Sequence, residues 1–260
     1  MIRTILARMQ QGHRTIAYPD GPAPELPDRF RGRPAIDAGA CRAGCNDCEA
    51  ACPTGAIALG VEAGVGDRRL TIDLGRCLFC TDCETACPAG AIAYTTDPRL
   101  AARRREDLVI GPGEAPLAAA LDGRLRSVFG RSLKLRVVSA GGCNACEADT
   151  NVLTTIGWDI GRFGIQFVAS PRHADGLLIT GPVTENMRLA LQKTYDAVPS
   201  PKIVVAVGAC AISGGPYIDH PEQHNGAASC VPVDLFIPGC PPHPLTILDG
   251  LLRLIGRLKV

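Results

Sequence analysis

From residue 133 onward, short apolar runs alternate with stretches of helical spacing. Residues 133–138, 166–169, 177–180, 203–207 and 233–237 read as strands. Between the third and fourth runs, residues 184–197 read as a helix, with Thr184 as candidate N-cap, Met187, Leu191 and Tyr195 at helical spacing, and Pro199 as the stop. The last pattern is an amphipathic helix from Pro244 to about Leu258. Strands that alternate with helices imply a mostly parallel sheet covered on both faces.

The first half follows a different pattern. A short helical stretch is succeeded by Pro19, Pro22, Pro24 and Pro27, which predict an extended segment because proline fixes its own backbone and biases the preceding residue away from the helix. From about Arg33 to Asp97 the chain is rich in Cys, Ala, Gly and Asp. At Pro98 it changes again, and Arg103 to Asp107 followed by Gly111, Pro112 and Gly113 reads as a solvated helix end and a linker. The expected division is 1–32, 33–97, a linker over 98–132, and 133–260. Arg103, Arg104 and Arg105 are expected on a solvated face.

Composition narrows the function classes. With 27 Lys and Arg against 26 Asp and Glu in 260 residues, the chain has no basic footprint for nucleic acid. A hydrophobic share of 46% is ample for a core and excludes a disordered tail. The N-terminus has neither a secretory apolar run nor a twin-arginine pair, so the cytoplasm is the expected compartment. No apolar stretch is long enough to span a bilayer, so any membrane role is expected to come through a partner. The 13 cysteines are too sparse for a disulfide scaffold and odd in number, and in a reducing compartment clustered thiols read as metal ligands or redox groups.

Eight of them form an internal repeat. Cys41, Cys45, Cys48 and Cys52, followed by Pro53, are echoed by Cys77, Cys80, Cys83 and Cys87, followed by Pro88. The second copy fits the C-x2-C-x2-C-x3-C-P run of two-cluster bacterial ferredoxins, and the first differs by one extra residue after Cys41. Three thiolates on a tight loop reach one cubane, while the fourth, a helical turn later, points to its neighbour. The expected ligand sets are therefore Cys41, Cys45, Cys48 and Cys87 for one [4Fe-4S] cluster, and Cys77, Cys80, Cys83 and Cys52 for another. The alternative is a pair of four-cysteine zinc sites, which use two separated C-x2-C knuckles per metal and suit this duplicated pattern poorly.

Residues 33–97 thus resemble the two-cluster ferredoxin module, an α+β fold. The preceding Thr15, Ile16, Ala17, Tyr18 and Pro19, with Phe30 to Pro34, resemble the lead-in of the ferredoxin-like subunits of formate hydrogenlyase and respiratory complex I. The resemblance implies an extended docking segment lying on neighbouring subunits; a simple linker is the alternative.

Four more cysteines lie just past expected strands: Cys143 and Cys146, Cys210, and Cys240 within Pro238, Gly239, Pro241 and Pro242. In open parallel sheets ligands gather outside the carboxyl ends of the strands, which would bring these loops together. Residues 133–260 resemble the small subunit of [NiFe] hydrogenases and its complex I relative, the B-type subunit that carries the terminal cluster. The resemblance implies a flavodoxin-like parallel-sheet α/β domain with one [4Fe-4S] cluster on Cys143, Cys146, Cys210 and Cys240. The C-x2-C start is hydrogenase-like, while the Pro-Gly-Cys-Pro-Pro run is shared by membrane-bound hydrogenases and complex I. Cys230 is expected to be a non-ligand. His243 reads as an ordinary surface histidine, or as a group that tunes the cluster beside it. Glu147 reads as part of a proton path, or as a first-turn residue stabilised by the helix dipole.

The resemblances together imply three [4Fe-4S] clusters and no catalytic residue in this chain. They imply an electron-transfer subunit, peripheral on the cytoplasmic face of the inner membrane. Its partners would be a [NiFe]-hydrogenase-type large subunit, equivalent to the D-type subunit of complex I, and a membrane ion-translocating arm. A formate dehydrogenase or a ferredoxin would donate electrons, and no nucleic acid is involved. The alternatives are the equivalent subunit of a complex I-like NADH/quinone oxidoreductase and a free-standing ferredoxin-type carrier. Deazaflavin-reducing hydrogenases carry the same two domains in the opposite order, which weighs against them.

Overall fold

The structure is a computed structural model that describes residues 2–12, 14–42, 44–61, 68–113 and 116–258. The first half contains α1 (Ile2–Gln11), β1 (Pro34–Ile36), α2 (Asp47–Ala51), β2 (Ile57–Val61), β3 (Arg68–Asp73), α3 (Asp82–Ala86), β4 (Ile92–Tyr94), β5 (Val109–Ile110) and α4 (Gly123–Phe129). The second contains β6 (Leu133–Ser139), α5 (Ala145–Val152), β7 (Ile165–Phe167), β8 (Gly176–Thr180), α6 (Glu185–Ala197), β9 (Ile203–Val207), α7 (Ala209–Ser213), β10 (Leu235–Ile237) and α8 (Pro244–Leu254).

The duplication in the cysteine region carries through to the strands. β1 pairs antiparallel with β4, setting Ile36 opposite Ile92, and β2 pairs antiparallel with β3, setting Ile57 opposite Ile72. Each short helix, α2 or α3, is followed by the Cys-Pro pair that ends it and then by the second strand of its own copy. This is the expected ferredoxin-like α+β arrangement.

The second half is the expected flavodoxin-like α/β domain. Five parallel strands lie in the order β10-β9-β8-β6-β7, so the second strand of the domain sits at the edge beside the first, and the other three follow on the far side. β8 and β9 are buried along their whole length, as strands covered on both faces must be. On β9, Val204 and Ala206 join the core shared with the ferredoxin region, whereas Ile203, Val205 and Val207 face the core under α8. β10 starts two residues later than the pattern suggests, because Asp234 turns its carboxylate to accept from the Val204 N–H at 2.9 Å.

Several expectations need correction. The described residues of 98–132 are not a linker: they carry β5, which pairs antiparallel with β3, and α4, and they bury Leu100, Leu108, Ile110, Leu121 and Phe129. A segment with that much apolar surface gains more by packing than by bridging. Nor do the three arginines share a solvated face. Arg105 grips Asp73 with two hydrogen bonds of 2.6 and 2.8 Å, and Arg103 reaches the carbonyls of Asp234 and Ala120, leaving Arg104 outside. The last helix is buried all round rather than amphipathic. Its polar Asp249 and Arg253 are tolerated because they pair at 2.8 Å, and Asp249 also accepts from Tyr18 Oη at 2.8 Å.

The lead-in lies on this chain's own α/β domain. Ile16 N–H donates to the Gly157 carbonyl, and Arg162 donates to the carbonyls of Ile16 and Tyr18 at 2.7 and 2.6 Å. Farther on, Gly32 and Arg33 donate to the carbonyls of Thr95 and Asp97.

Candidate metal centres

The sheet order brings four separated cysteines to one place. Cys143 and Cys146 follow β6, Cys210 lies in α7 just past β9, and Cys240 follows β10, so all four emerge from carboxyl ends of parallel strands. They line one cavity of about 80 Å³ together with Glu147 and Gly181. Local geometry explains the glycine before α7. Gly208 has φ +90°, and a Cβ there would lie 2.5 Å from Cys146 Sγ, so any side chain would displace the thiol.

These thiols act on one another. Burial pushes Cys146 well above the ordinary thiol range, and Cys210, Glu147 and Cys240 push it further. Burial, with Cys240 and Cys143 nearby, pushes Cys210 up to about 11. Three of these thiols, Cys146, Cys210 and Cys240, resist ionisation unless a cationic centre sits among them, which is what iron provides. Glu147 is a buried first-turn residue whose Oε1 accepts from the hydroxyls of Ser139 and Thr180, the latter at 2.7 Å.

The ferredoxin region brings thiols of its two copies together. Cys52, Cys77, Cys80 and Cys83 line one small cavity of about 10 Å³. Cys52 thus joins the loop of the other copy. Burial pushes Cys77 up to about 12, although Tyr94 Oη at 3.3 Å and the Phe79 N–H at 3.3 Å oppose the rise. In the matching set, burial raises the Cys48 thiol, and both Cys87 and Cys41 raise it further. Cys45, in the same loop, directs its thiol to Asp47 Oδ2 at 3.4 Å. The Ala56 and Ala91 N–H groups donate to Cys52 Sγ and Cys87 Sγ at 3.1 and 3.3 Å, one in each copy.

The donor set fits iron–sulfur clusters. The donors are thiols alone, backbone N–H groups point at their sulfurs, and two of the three sets ring a cavity. Among the described residues, no three His, Cys, Asp or Glu side chains form a group that could hold a metal ion by themselves. Clusters bound to such thiols accept and release single electrons, at potentials set by burial and by hydrogen bonds to sulfur.

The domains meet beside these sites. Burial raises the Cys240 thiol, and Cys143 and then Cys80 raise it further, so the ferredoxin cysteine Cys80 is an electrostatic neighbour of Cys240. A cleft of about 220 Å³ lies here, walled by Leu78 and Phe79 on one side and by Gly239, Cys240 and His243 on the other. His243 is not a surface histidine. It caps α8 by accepting from the Leu245 N–H, its ring meets Phe30 and Trp158 edge-on, and burial lowers its pKa. Cys230 lines neither thiol-walled cavity and sits by Ser229 Oγ at 3.4 Å. Sequence reasoning missed Tyr94 and the hydroxyls that hold Glu147; the one available signal was that Tyr94 stands opposite Leu59 just past the matched Gly-Ala-Ile-Ala of the two copies.

A duplicated cysteine module packed on a parallel sheet with thiols at its strand ends defines an iron–sulfur electron-transfer protein. Comparison with known proteins agrees: residues 40–91 match the 4Fe-4S dicluster domain, and residues 143–254 match the family described as NADH ubiquinone oxidoreductase, 20 Kd subunit. The chain is 40% identical to the probable membrane-bound hydrogenase subunit mbhJ of Pyrococcus furiosus over 52% of its own length and 81% of that protein. It is 41% identical to formate hydrogenlyase subunit 7 of Escherichia coli, over 54% of this chain and 55% of that one. It is 47% identical to the B-type NADH-quinone oxidoreductase subunit of Clostridium beijerinckii, over 39% and 60% respectively. The chain belongs to the NADH ubiquinone oxidoreductase 20 kDa subunit family, with a 4Fe-4S dicluster domain preceding the family domain. Among the described residues, no helix is long and apolar enough to cross a membrane.

Proposed function

We propose that this chain relays electrons through three [4Fe-4S] clusters to the catalytic large subunit of a membrane-bound, [NiFe]-hydrogenase-type complex related to formate hydrogenlyase. In this reading Cys41, Cys45, Cys48 and Cys87 hold the first cluster, Cys52, Cys77, Cys80 and Cys83 the second, and Cys143, Cys146, Cys210 and Cys240 the third. The observation that carries it is the cleft in which Leu78 and Phe79, between Cys77 and Cys80, face Cys240, which supports passage from the second group to the third. Electrons then enter at the first group from a ferredoxin or a formate dehydrogenase. They leave from the third for a large subunit seated over Cys143 and Cys240, both exposed.

The hydrogenase relatives, one of them membrane-bound, support a hydrogenase partner at a membrane; an ion-translocating arm and a peripheral place on the cytoplasmic face belong to the same proposal. The family description and the Clostridium beijerinckii relative support a second reading, in which a large subunit without nickel passes the electrons to a quinone. Anaerobic purification of the intact complex, with iron, sulfide and nickel analysis and EPR, tests both. About 12 iron atoms per chain are expected, as three four-iron clusters require, and about 8 would remove the third cluster. Nickel in the co-purifying large subunit selects the hydrogenase reading and its absence the quinone reading, whereas a stable monomer with no partner overturns both.

A further inference from the structure

The two copies of the cysteine unit match closely. Their strand pairs share a register, with Ile57 opposite Ile72 and Ile92 opposite Ile36, and each gives its Cys-Pro cysteine one N–H bond from an alanine. They part at the second residue after that cysteine, Thr54 against Ala89, where the Thr54 hydroxyl donates to the Arg76 carbonyl at 2.8 Å, and at the seventh, where the first copy has Leu59 and the second has Tyr94. Tyr94 stands at the end of β4, half-buried, with its ring edge-on to Phe79 at 6.0 Å. Its Oη lies 3.3 Å from Cys77 Sγ and 3.7 Å from Cys83 Sγ. Leucine has no group that could do the same for the other set.

We propose that Tyr94 makes the two ferredoxin-type clusters unequal: its hydroxyl donates to the Cys77 and Cys83 sulfurs and raises the potential of the cluster on Cys52, Cys77, Cys80 and Cys83 above that of its twin. The proposal rests on the reading that these cysteines hold a cluster. An iron-bound sulfur carries no proton, so the phenol must be the donor. The reduced cluster holds one more negative charge than the oxidised one, so a fixed donor stabilises the reduced form more, and the half-buried setting strengthens the effect. Tyr94 is a positioning residue for charge rather than a carrier. It holds the electron on the cluster beside Cys240, which biases the relay toward the α/β domain.

The test is the full-length Tyr94→Phe variant, which keeps the ring and removes only the hydroxyl, compared with the unaltered chain in an EPR-monitored redox titration. The expected result is a lower midpoint for one signal, with the oxidised-to-reduced ratio at fixed potential changed about tenfold, or about 59 mV for a one-electron couple, and the other signals in place. Unchanged iron content with unchanged midpoints, or a shift in the other signals only, overturns the proposal and leaves the cluster assignment standing. An unaltered chain with no cluster on these four cysteines overturns both. Should the variant fail to load iron, the full-length chain carrying 3-fluorotyrosine, whose phenol is the stronger donor, is titrated instead: a higher midpoint for one signal is expected, and unchanged midpoints overturn the proposal.

Discussion

Ser213 donates its hydroxyl to the backbone carbonyl of Gly75 at 2.9 Å, a buried bond between residues 138 apart in sequence. Ser213 ends α7, the helix that carries Cys210, and Gly75 lies just before Cys77. One hydrogen bond thus holds a thiol of the α/β domain in register with the thiol loop of the ferredoxin region, and the continuous apolar core around Ile72, Ile179 and Ile212 supports it.

Ser213→Ala leaves the Gly75 carbonyl buried without this donor. A loss of about 1–3 kcal/mol in denaturant unfolding is expected. A change under about 0.5 kcal/mol would mean that the core alone holds the domains.

The Arg105 and Asp73 pair makes a different demand. Arg105→Lys keeps the charge but loses the two-pronged grip, and a loss of about 1–2 kcal/mol is expected because bonds to charged groups carry roughly that weight and lysine cannot make both. Arg104→Ala, at an exposed site, should stay within about 0.5 kcal/mol of the unaltered chain. Equal effects of the two in thermal melts would contradict the structural distinction between neighbouring arginines.

Iron analysis separates ligand from non-ligand cysteines. Cys210→Ser or Cys240→Ser should lower the iron content from about 12 to about 8 atoms per chain, whereas Cys230→Ser should leave it unchanged. Loss of iron from the Cys230 variant would show that the third thiol set has been assigned wrongly.

Acid stability should report on Asp97. Burial alone would raise this carboxyl, but the hydrogen bonds and charge of Arg99, backed by Arg33 at 3.0 Å, outweigh it and hold Asp97 below the usual carboxylate range. A folded-state pKa below the unfolded value gives stability that is present at neutral pH and is lost as pH falls through and below about 4. Asp97→Asn should therefore be less stable than the unaltered chain at pH 7, with the gap closing on acidification. A gap that stays constant down to about pH 3 would exclude this pair as its source.

Much of the candidate site was legible in the sequence. Cys77, Cys80 and Cys83 fall within a few residues of one another, and three thiols so close along a chain can face one centre wherever the rest of the protein goes. The repeat also placed Cys52 and Cys87 at equivalent positions a helical turn past their loops, and Cys52 lies beside the thiols of the other copy. The strand runs of the second half were equally plain, because β8 and β9 are uninterrupted apolar segments bounded by polar residues and turns. Misreadings fell where a polar pattern was taken for exposure. Arg103 and Arg105 look solvated until Asp73 and the Asp234 carbonyl are placed beside them, and His243 looks ordinary until Phe30 and Trp158 close around it.

By itself, then, the sequence determined that a duplicated ferredoxin-type cysteine run is followed by a parallel sheet, because cysteine spacing and strand periodicity are local properties. Only the tertiary structure decided that the lead-in lies across its own α/β domain, that Tyr94 reaches two sulfurs of one set, and that Leu78 and Phe79 share a cleft with Cys240. These relationships join residues up to 231 apart in sequence, and no periodicity encodes which distant loop a buried hydroxyl or ring will meet.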